Sequence, residues 1–274
     1  MAHRYILRGT GAVLVFALAM WSAGVRAEFG LNMTPGVTAI SREVYDLHML
    51  VFWICVAIGV AVFGVMFWSI YHHRKSQGAV AAQFHESALV EVLWTLAPIL
   101  ILVAMAVPAT KTLIRLADAR DAELTIKVTG YQWRWRYEYL NEGIDFFSTL
   151  ATPRAQIANN AAKDATYLLA VDRPLVVPVG KKIRILTTAA DVIHSWWVPA
   201  LGWKRDAIPG FINESWTLIE KPGVYRGQCA ELCGRDHGFM PVVVEAVPEA
   251  EFRQWVESNK APNPITAQVA NGGQ

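Results

Sequence analysis

From Leu47 to Ile70 the chain carries no Asp, Glu, Lys or Arg over 24 consecutive residues. A helix rising about 1.5 Å per residue over that length crosses a hydrocarbon core of about 30 Å. Tyr45, Trp68 and Tyr71 stand at its ends, where amphipathic rings favour the membrane interface. A second apolar stretch runs from Leu89 to about Ala109, interrupted by Pro98 and Pro108. Proline is tolerated in a membrane helix when neighbouring groups satisfy the freed carbonyl. The two runs predict membrane helices over 45–71 and 89–111, joined by a loop over 72–88. That loop holds His72, His73, Arg74 and Lys75. An excess of Lys and Arg places a short loop in the cytoplasm, so the large C-terminal part lies outside. A charged fraction of 18% against 54% hydrophobic residues agrees with a membrane-anchored chain. A net charge of only +2 argues against nucleic acid as a partner, since phosphate binding needs a basic excess.

Residues 1–27 read as a secretory signal. Arg4 and Arg8 form the basic start, Gly11 to Trp21 a short apolar run, and Val25-Arg26-Ala27 a small-residue cleavage site. A third membrane helix is the alternative, although the run is short for a bilayer. An external segment over 28–44 would then precede the first helix.

From Leu124 the period changes from helical to alternating. Leu124, Ile126 and Val128 alternate with polar residues, and Tyr131 to Tyr139 does so more strictly. Trp133, Trp135, Tyr137 and Tyr139 fall on one side of that run, and Arg134, Arg136 and Glu138 on the other. Further β-rich runs are Tyr167–Val171, Leu175–Val179, Ile183–Thr188, Ser215–Ile219 and Val242–Ala246. Many short strands at this spacing predict a β-sandwich or barrel. An irregular loop is expected over 149–164, a closing helix over 248–259, and a loose tail over 261–274. The external domain thus spans 112–260.

The chemistry concentrates in Cys229-x3-Cys233-x3-His237-x2-Met240. Two thiols, an imidazole and a thioether so close together favour a soft or borderline metal, and the thioether points to copper over zinc. Gly227, Gly234 and Gly238 would let the backbone wrap tightly around an ion. A second imidazole is available at His194, in a segment read as a strand end followed by a loop. Taken singly, these residues have plainer readings: a Cys229–Cys233 disulfide, a core-filling Met240, an ordinary His194. Their joint presence is what points to a metal centre. Cys55 lies mid-helix as a packing residue, and the chain contains no C-x-x-C-H haem attachment motif.

This loop, the segment from Asp191 to Pro199, Lys204 to Gly210, the aromatic run Tyr131–Trp135 and the two-helix anchor together resemble subunit II of the haem-copper cytochrome c oxidases. The resemblance implies a two-helix transmembrane hairpin plus an all-β cupredoxin-like external domain, a Greek-key barrel or sandwich holding the binuclear copper centre CuA. It implies that Cys229 and Cys233 bridge both coppers, that His194 and His237 each bind one, and that Met240 and the main-chain carbonyl of Glu231 are weak ligands. The Glu231 carboxylate would face a Mg²⁺ shared with the catalytic subunit, since hard oxygen suits Mg²⁺ and soft sulfur suits copper. Partners would be the catalytic haem-copper subunit I, other oxidase subunits, cytochrome c as donor and the lipid bilayer. The location would be a bacterial inner membrane with the C-terminal domain in the periplasm.

Trp133 would be where electrons arrive, although alternation alone reads it equally well as a core aromatic. Glu91, at the start of the second helix, would admit protons to the catalytic subunit. Its plainer reading is a snorkelling carboxylate at a helix N-terminus. Docking of a basic cytochrome c would use Glu138 and Asp191, and its on-rate would then fall as salt rises. Arg134 and Arg136 depart from that acidic pattern, and the chain from Lys111 on is almost neutral. Two rivals share the ligand chemistry. A copper-delivery protein of thioredoxin-like fold would show one membrane helix and a βαβ pattern. The CuA domain of a nitrous-oxide reductase would be soluble and joined to a histidine-rich catalytic domain.

Overall fold

The computed structural model describes residues 32–83 and 85–260. The signal segment over 1–27 and the tail over 261–274 lie outside the described residues. Helix α1 spans Ala39–His72 and α2 spans Ala88–Ala117. Both are long and apolar enough to cross a membrane. Helix α1 begins well before its uncharged stretch because Thr38 and Ser41 form a capping box, each side chain bonding the other's backbone N–H. Pro98 and Pro108 both lie inside α2.

The rest is a sandwich of two five-stranded sheets. One sheet contains β1 (Leu124–Tyr131), β2 (Arg134–Tyr139), β3 (Ile144–Ser148), β5 (Ile183–Ala189) and β8 (Asn213–Thr217), in the order β3-β2-β1-β5-β8. The other contains β4 (Leu175–Pro178), β6 (His194–Val198), β7 (Trp203–Ala207), β9 (Gly223–Cys229) and β10 (Pro241–Val247), in the order β4-β10-β9-β6-β7. Two pairings, β1 with β5 and β4 with β10, are parallel, and the others are antiparallel. Parallel neighbours require crossovers between the sheets, and so close the sandwich. One turn of helix, α3 (Arg154–Ile157), interrupts the loop expected over 149–164.

The core is aromatic where β2 crosses it. Trp135, Tyr137 and Tyr139 are fully buried, and each polar tip has a partner. Trp135 Nε1 donates to the Met240 carbonyl at 3.2 Å, and Tyr139 Oη to the Val176 carbonyl at 2.7 Å. Tyr137 Oη accepts from Trp196 Nε1 at 3.4 Å. Helix α4 (Glu249–Asn259) seals the end remote from the β1–β2 turn, with Trp255 and Phe252 against Tyr139.

Three strand readings change. Tyr131–Tyr139 is not one strand: Tyr131 ends β1, Gln132 and Trp133 form the turn, and β2 starts at Arg134. Trp133 therefore leaves the row of inward aromatics. Tyr167–Val171 is a turn, with Leu168 at φ +58°, and only Val171 bridges, to Leu150. His194 opens a strand where the sequence suggested that one closed. Alternation cannot place such breaks, because a two-residue turn preserves it.

The sandwich is tied to the start of α1 and to the end of α2. Val37 N donates to Ala200 O at 2.9 Å and Thr38 Oγ1 to Leu201 O at 3.2 Å, which ties the start of α1 to the 3₁₀ turn Pro199–Leu201. Trp216 Nε1 donates to Arg115 O at 3.0 Å, which ties the end of α2 to β8. Arg115 and Thr112 of α2 both bond the Glu43 carboxylate of α1.

Candidate metal centre

Three segments converge at the end of the sandwich opposite α4. The chain leaves β9 at Cys229 and returns as β10 at Pro241, so the connecting loop carries Glu231, Cys233, His237 and Met240. Strand β6 pairs with β9, Trp196 opposite Cys229, and Ala230 N donates to Ser195 O at 2.9 Å. That pairing sets His194 beside Cys229 across 35 residues of sequence. Gly227, expected in the loop, belongs to β9.

The ligand atoms of His194, Cys229 and Cys233 all lie within 4.8 Å of one another. The two sulfurs stand 3.8 Å apart as free thiols. His194 Nδ1 is 4.0 Å from Cys229 Sγ, His237 Nδ1 is 3.4 Å from Cys233 Sγ, and Met240 Sδ is 3.6 Å from Cys233 Sγ. The Glu231 carbonyl oxygen is 3.3 Å from Cys229 Sγ, while its side chain is exposed. His194, Cys229, Cys233 and Met240 are buried and His237 is half-buried. Sulfur and imidazole with one thioether, collected in a largely buried pocket, fit a soft metal.

Burial and mutual contact shift the protonation of these groups in opposite directions. Burial pushes the Cys233 thiol up to about 12, and the neighbouring Cys229 sulfur adds to the shift. Burial also disfavours the Cys229 thiolate, but contacts from His194, the backbone at Ser195 and Glu231, and Cys233 outweigh it and lower that thiol. For His194, burial opposes the charged ring, while Cys229 and Asp191 override it and raise the group. In Asp191 burial is again overcome, by hydrogen bonds from His194, Gln132 and Val192, and the carboxyl is lowered.

Asp191, expected at a donor-docking surface, bonds the candidate ligand His194 and the turn at Gln132. One oxygen takes the His194 ring at 2.9 Å and Val192 N at 2.7 Å, and the other takes Gln132 N at 2.7 Å. Nothing in the sequence marks it as an orienting residue beyond its place three residues before His194. Glu138 is paired with Lys127 at 3.0 Å and Arg136 at 3.7 Å. It lies about 13 Å along β2 from Arg134, at roughly 3.3 Å per residue, and is not brought to the cluster. Glu91 sits exposed in the first turn of α2, its carbonyl accepting from Thr95 Oγ1.

Trp133 packs on the ligand loop. Its Nε1 donates to the Cys233 carbonyl at 3.2 Å, and Gln132 Nε2 donates to the same oxygen at 2.9 Å. Gly234 follows at φ +120°, where a Cβ would lie 3.1 Å from the Trp133 ring. Gly130 holds the other side: a Cβ there would lie 2.7 Å from His194 Cδ2. These two glycines let the loop, the turn and the imidazole meet.

Residues 124–247 match the family described as cytochrome c oxidase subunit II, periplasmic domain, and residues 26–112 match its transmembrane domain. The chain belongs to the cytochrome c oxidase subunit II family. It is 41% identical to a probable cytochrome c oxidase subunit 2 of Rickettsia bellii, over 83% of each chain. It is 34% identical to cytochrome c oxidase subunit 2 of Cereibacter sphaeroides, over 83% of this chain and 80% of that one. Among solved structures, the periplasmic domain of subunit II of cytochrome oxidase of Bradyrhizobium japonicum is 45% identical. That comparison covers 52% of this chain and 96% of that one, with a TM-score of 0.46. Two apolar helices followed by a cupredoxin-like β-sandwich are the architecture of this family member, a membrane protein and a component of an oxidoreductase complex. Among the described residues, ten strands in two sheets stand in place of the βαβ pattern that a thioredoxin-like fold requires.

Proposed function

We propose that the chain is the subunit through which electrons reach a respiratory terminal oxidase. It would take single electrons from cytochrome c and pass them to haem in the catalytic subunit, supporting reduction of oxygen to water and proton pumping. The observation that carries this reading is the convergence of His194, Cys229, Cys233, His237 and Met240 in one pocket. The donor set fits a binuclear copper centre: Cys229 and Cys233 would bridge, His194 and His237 would bind through Nδ1, and Met240 and the Glu231 carbonyl would be weak ligands. When bound, such a centre supplies a one-electron acceptor whose charge is shared between two metals.

The protein's contribution is to hold those ligands still and dry. Asp191 on Nε2 keeps the hydrogen there and leaves the His194 Nδ1 lone pair toward the sulfurs. Trp133, half-exposed and bonded to the Cys233 carbonyl, offers a contact between solvent and a ligand residue, which supports its role as the point of electron arrival. The exposed Glu231 carboxylate would face Mg²⁺ at the catalytic subunit. Glu91, at the end of α2 remote from the sandwich, would admit protons, and an unchanged proton uptake in Glu91→Ala would reject that role. The two apolar helices and the basic inter-helix loop support a bacterial inner membrane with residues 112–260 in the periplasm.

Metal analysis with electron paramagnetic resonance on the purified oxidase tests the reading. Two coppers per chain, beyond those of the catalytic subunit, with hyperfine structure from two equivalent nuclei are expected. A single copper, or zinc, at this site would overturn it.

A further inference from the structure

A groove of about 260 Å³ lies between α1 and α2, at the ends of the two helices that are tied to the sandwich. Leu47, Leu50 and Pro108 line its apolar part, where the two apolar runs end. Glu43, Asp46, Lys111, Thr112 and Arg115 line the rest. Apolar residues toward the spans and charged residues beyond them follow, along one groove, the change from hydrocarbon to headgroups that a bilayer presents.

The charges of the rim divide into two sets. Arg115 Nη1 donates to both Glu43 oxygens at 3.1 Å, and Thr112 Oγ1 to one of them at 3.1 Å, which fastens α2 to α1. Asp46 and Lys111 lie about one helical turn closer to the apolar runs, Asp46 three residues after Glu43 and Lys111 four before Arg115. Both are exposed, and among the described residues neither is in a salt bridge. Two acids and two bases leave the rim neutral overall. An anionic headgroup would gain at Lys111 and lose at Asp46, whereas a headgroup carrying both signs can satisfy each.

We propose that this groove binds one zwitterionic aminophospholipid of the outer leaflet, of the phosphatidylethanolamine type. The phosphate accepts from the Lys111 ammonium, the lipid ammonium donates to the Asp46 carboxylate, and the first acyl segments lie on Leu47, Leu50 and Pro108. A quaternary ammonium has no N–H to donate, so the carboxylate selects a primary amine through a charge-assisted hydrogen bond. The lipid then bridges α1 and α2 beside the Glu43–Arg115 pair. The Arg115 carbonyl also accepts from Trp216 of β8, so the lipid braces the joint between the anchor and the external domain. The inference rests on the orientation proposed above, with residues 112–260 outside, and not on the copper reading.

Native mass spectrometry of the whole purified oxidase tests it. The complex is stripped of lipid in detergent and titrated separately with phosphatidylethanolamine, phosphatidylcholine and phosphatidylglycerol. The unaltered complex should bind one more phosphatidylethanolamine per chain than the double variant D46N/K111Q, in which affinity at this site falls by about tenfold. Phosphatidylcholine and phosphatidylglycerol should not distinguish the two. The single variant D46N leaves Lys111 unopposed and should bind phosphatidylglycerol more tightly than the unaltered complex does. E249Q/R253Q, a charge pair on α4 outside the groove, should behave as the unaltered protein. Equal phosphatidylethanolamine binding by the unaltered complex and D46N/K111Q would overturn the proposal, as would a preference of the unaltered complex for phosphatidylglycerol. Loss of the catalytic subunit from purified D46N/K111Q would also overturn it, and assign the groove to a subunit contact. Reduction of the copper centre by cytochrome c in the same preparations reports separately on electron arrival, so either reading can fail without the other.

Discussion

The Asp191 carboxylate and the His194 ring meet at 2.9 Å, on the nitrogen that faces away from the cysteines. The same carboxylate holds the backbone N–H of Gln132. One side chain therefore orients a candidate ligand and anchors the turn that presents Trp133. Supporting carboxylates of this kind are worth about 10–100-fold in metal affinity. Asp191→Asn should weaken copper binding by about that factor, read by competition with a chelator, while the folded domain persists by circular dichroism. Unchanged affinity would show that the pocket alone orients His194.

Gly130 is a packing requirement of the imidazole. A methyl group there would press on His194 Cδ2 at 2.7 Å. Gly130→Ala should cost about 1–3 kcal/mol in unfolding free energy through overpacking. It should also broaden or abolish the copper resonance, because the ring must move. A variant with native stability and an unchanged spectrum would mean that β1 yields instead.

Met240 is buried, with its sulfur 3.6 Å from Cys233 Sγ. Leucine has nearly the same volume, so Met240→Leu should change stability by less than about 1.5 kcal/mol. If Met240 is the weak ligand proposed above, the copper should remain bound with a shifted optical and resonance spectrum. An unaltered spectrum would make Met240 a packing residue only.

Asp145 and Arg136 pair on the outer face of the first sheet, and the hydrogen bonds from Arg136 hold the Asp145 carboxyl below its usual range. A carboxyl lowered in the folded state stabilises above its unfolded value, and that contribution is lost as pH falls through the folded value. With Asp145 46% exposed, the effect should be under about 1 kcal/mol and weaken with salt. Asp145→Asn should flatten the acid limb of the stability curve slightly. An identical acid limb in the variant would show that the pair contributes nothing.

Much of this protein was legible one residue at a time. The uncharged run Leu47–Ile70 specifies a membrane helix because a bilayer leaves the backbone no other partner than itself. Cys229, Cys233, His237 and Met240 are close in sequence, so a single loop must keep them close in space. The resemblance to subunit II rests on those same residues and extends to both membrane helices, as the family matches do.

Long-range pairing decided the rest. His194 reaches Cys229 only because β6 lies beside β9, and no local pattern encodes that register. Trp133 falls in a turn within an unbroken alternation, so periodicity could not separate it from the core position of Trp135. Asp191 and Glu138 looked alike as acids, yet one was drawn under His194 and the other between Lys127 and Arg136. Composition counts charges, whereas the folded chain decides which are neutralised and which project, because only packing sets the distances over which they act.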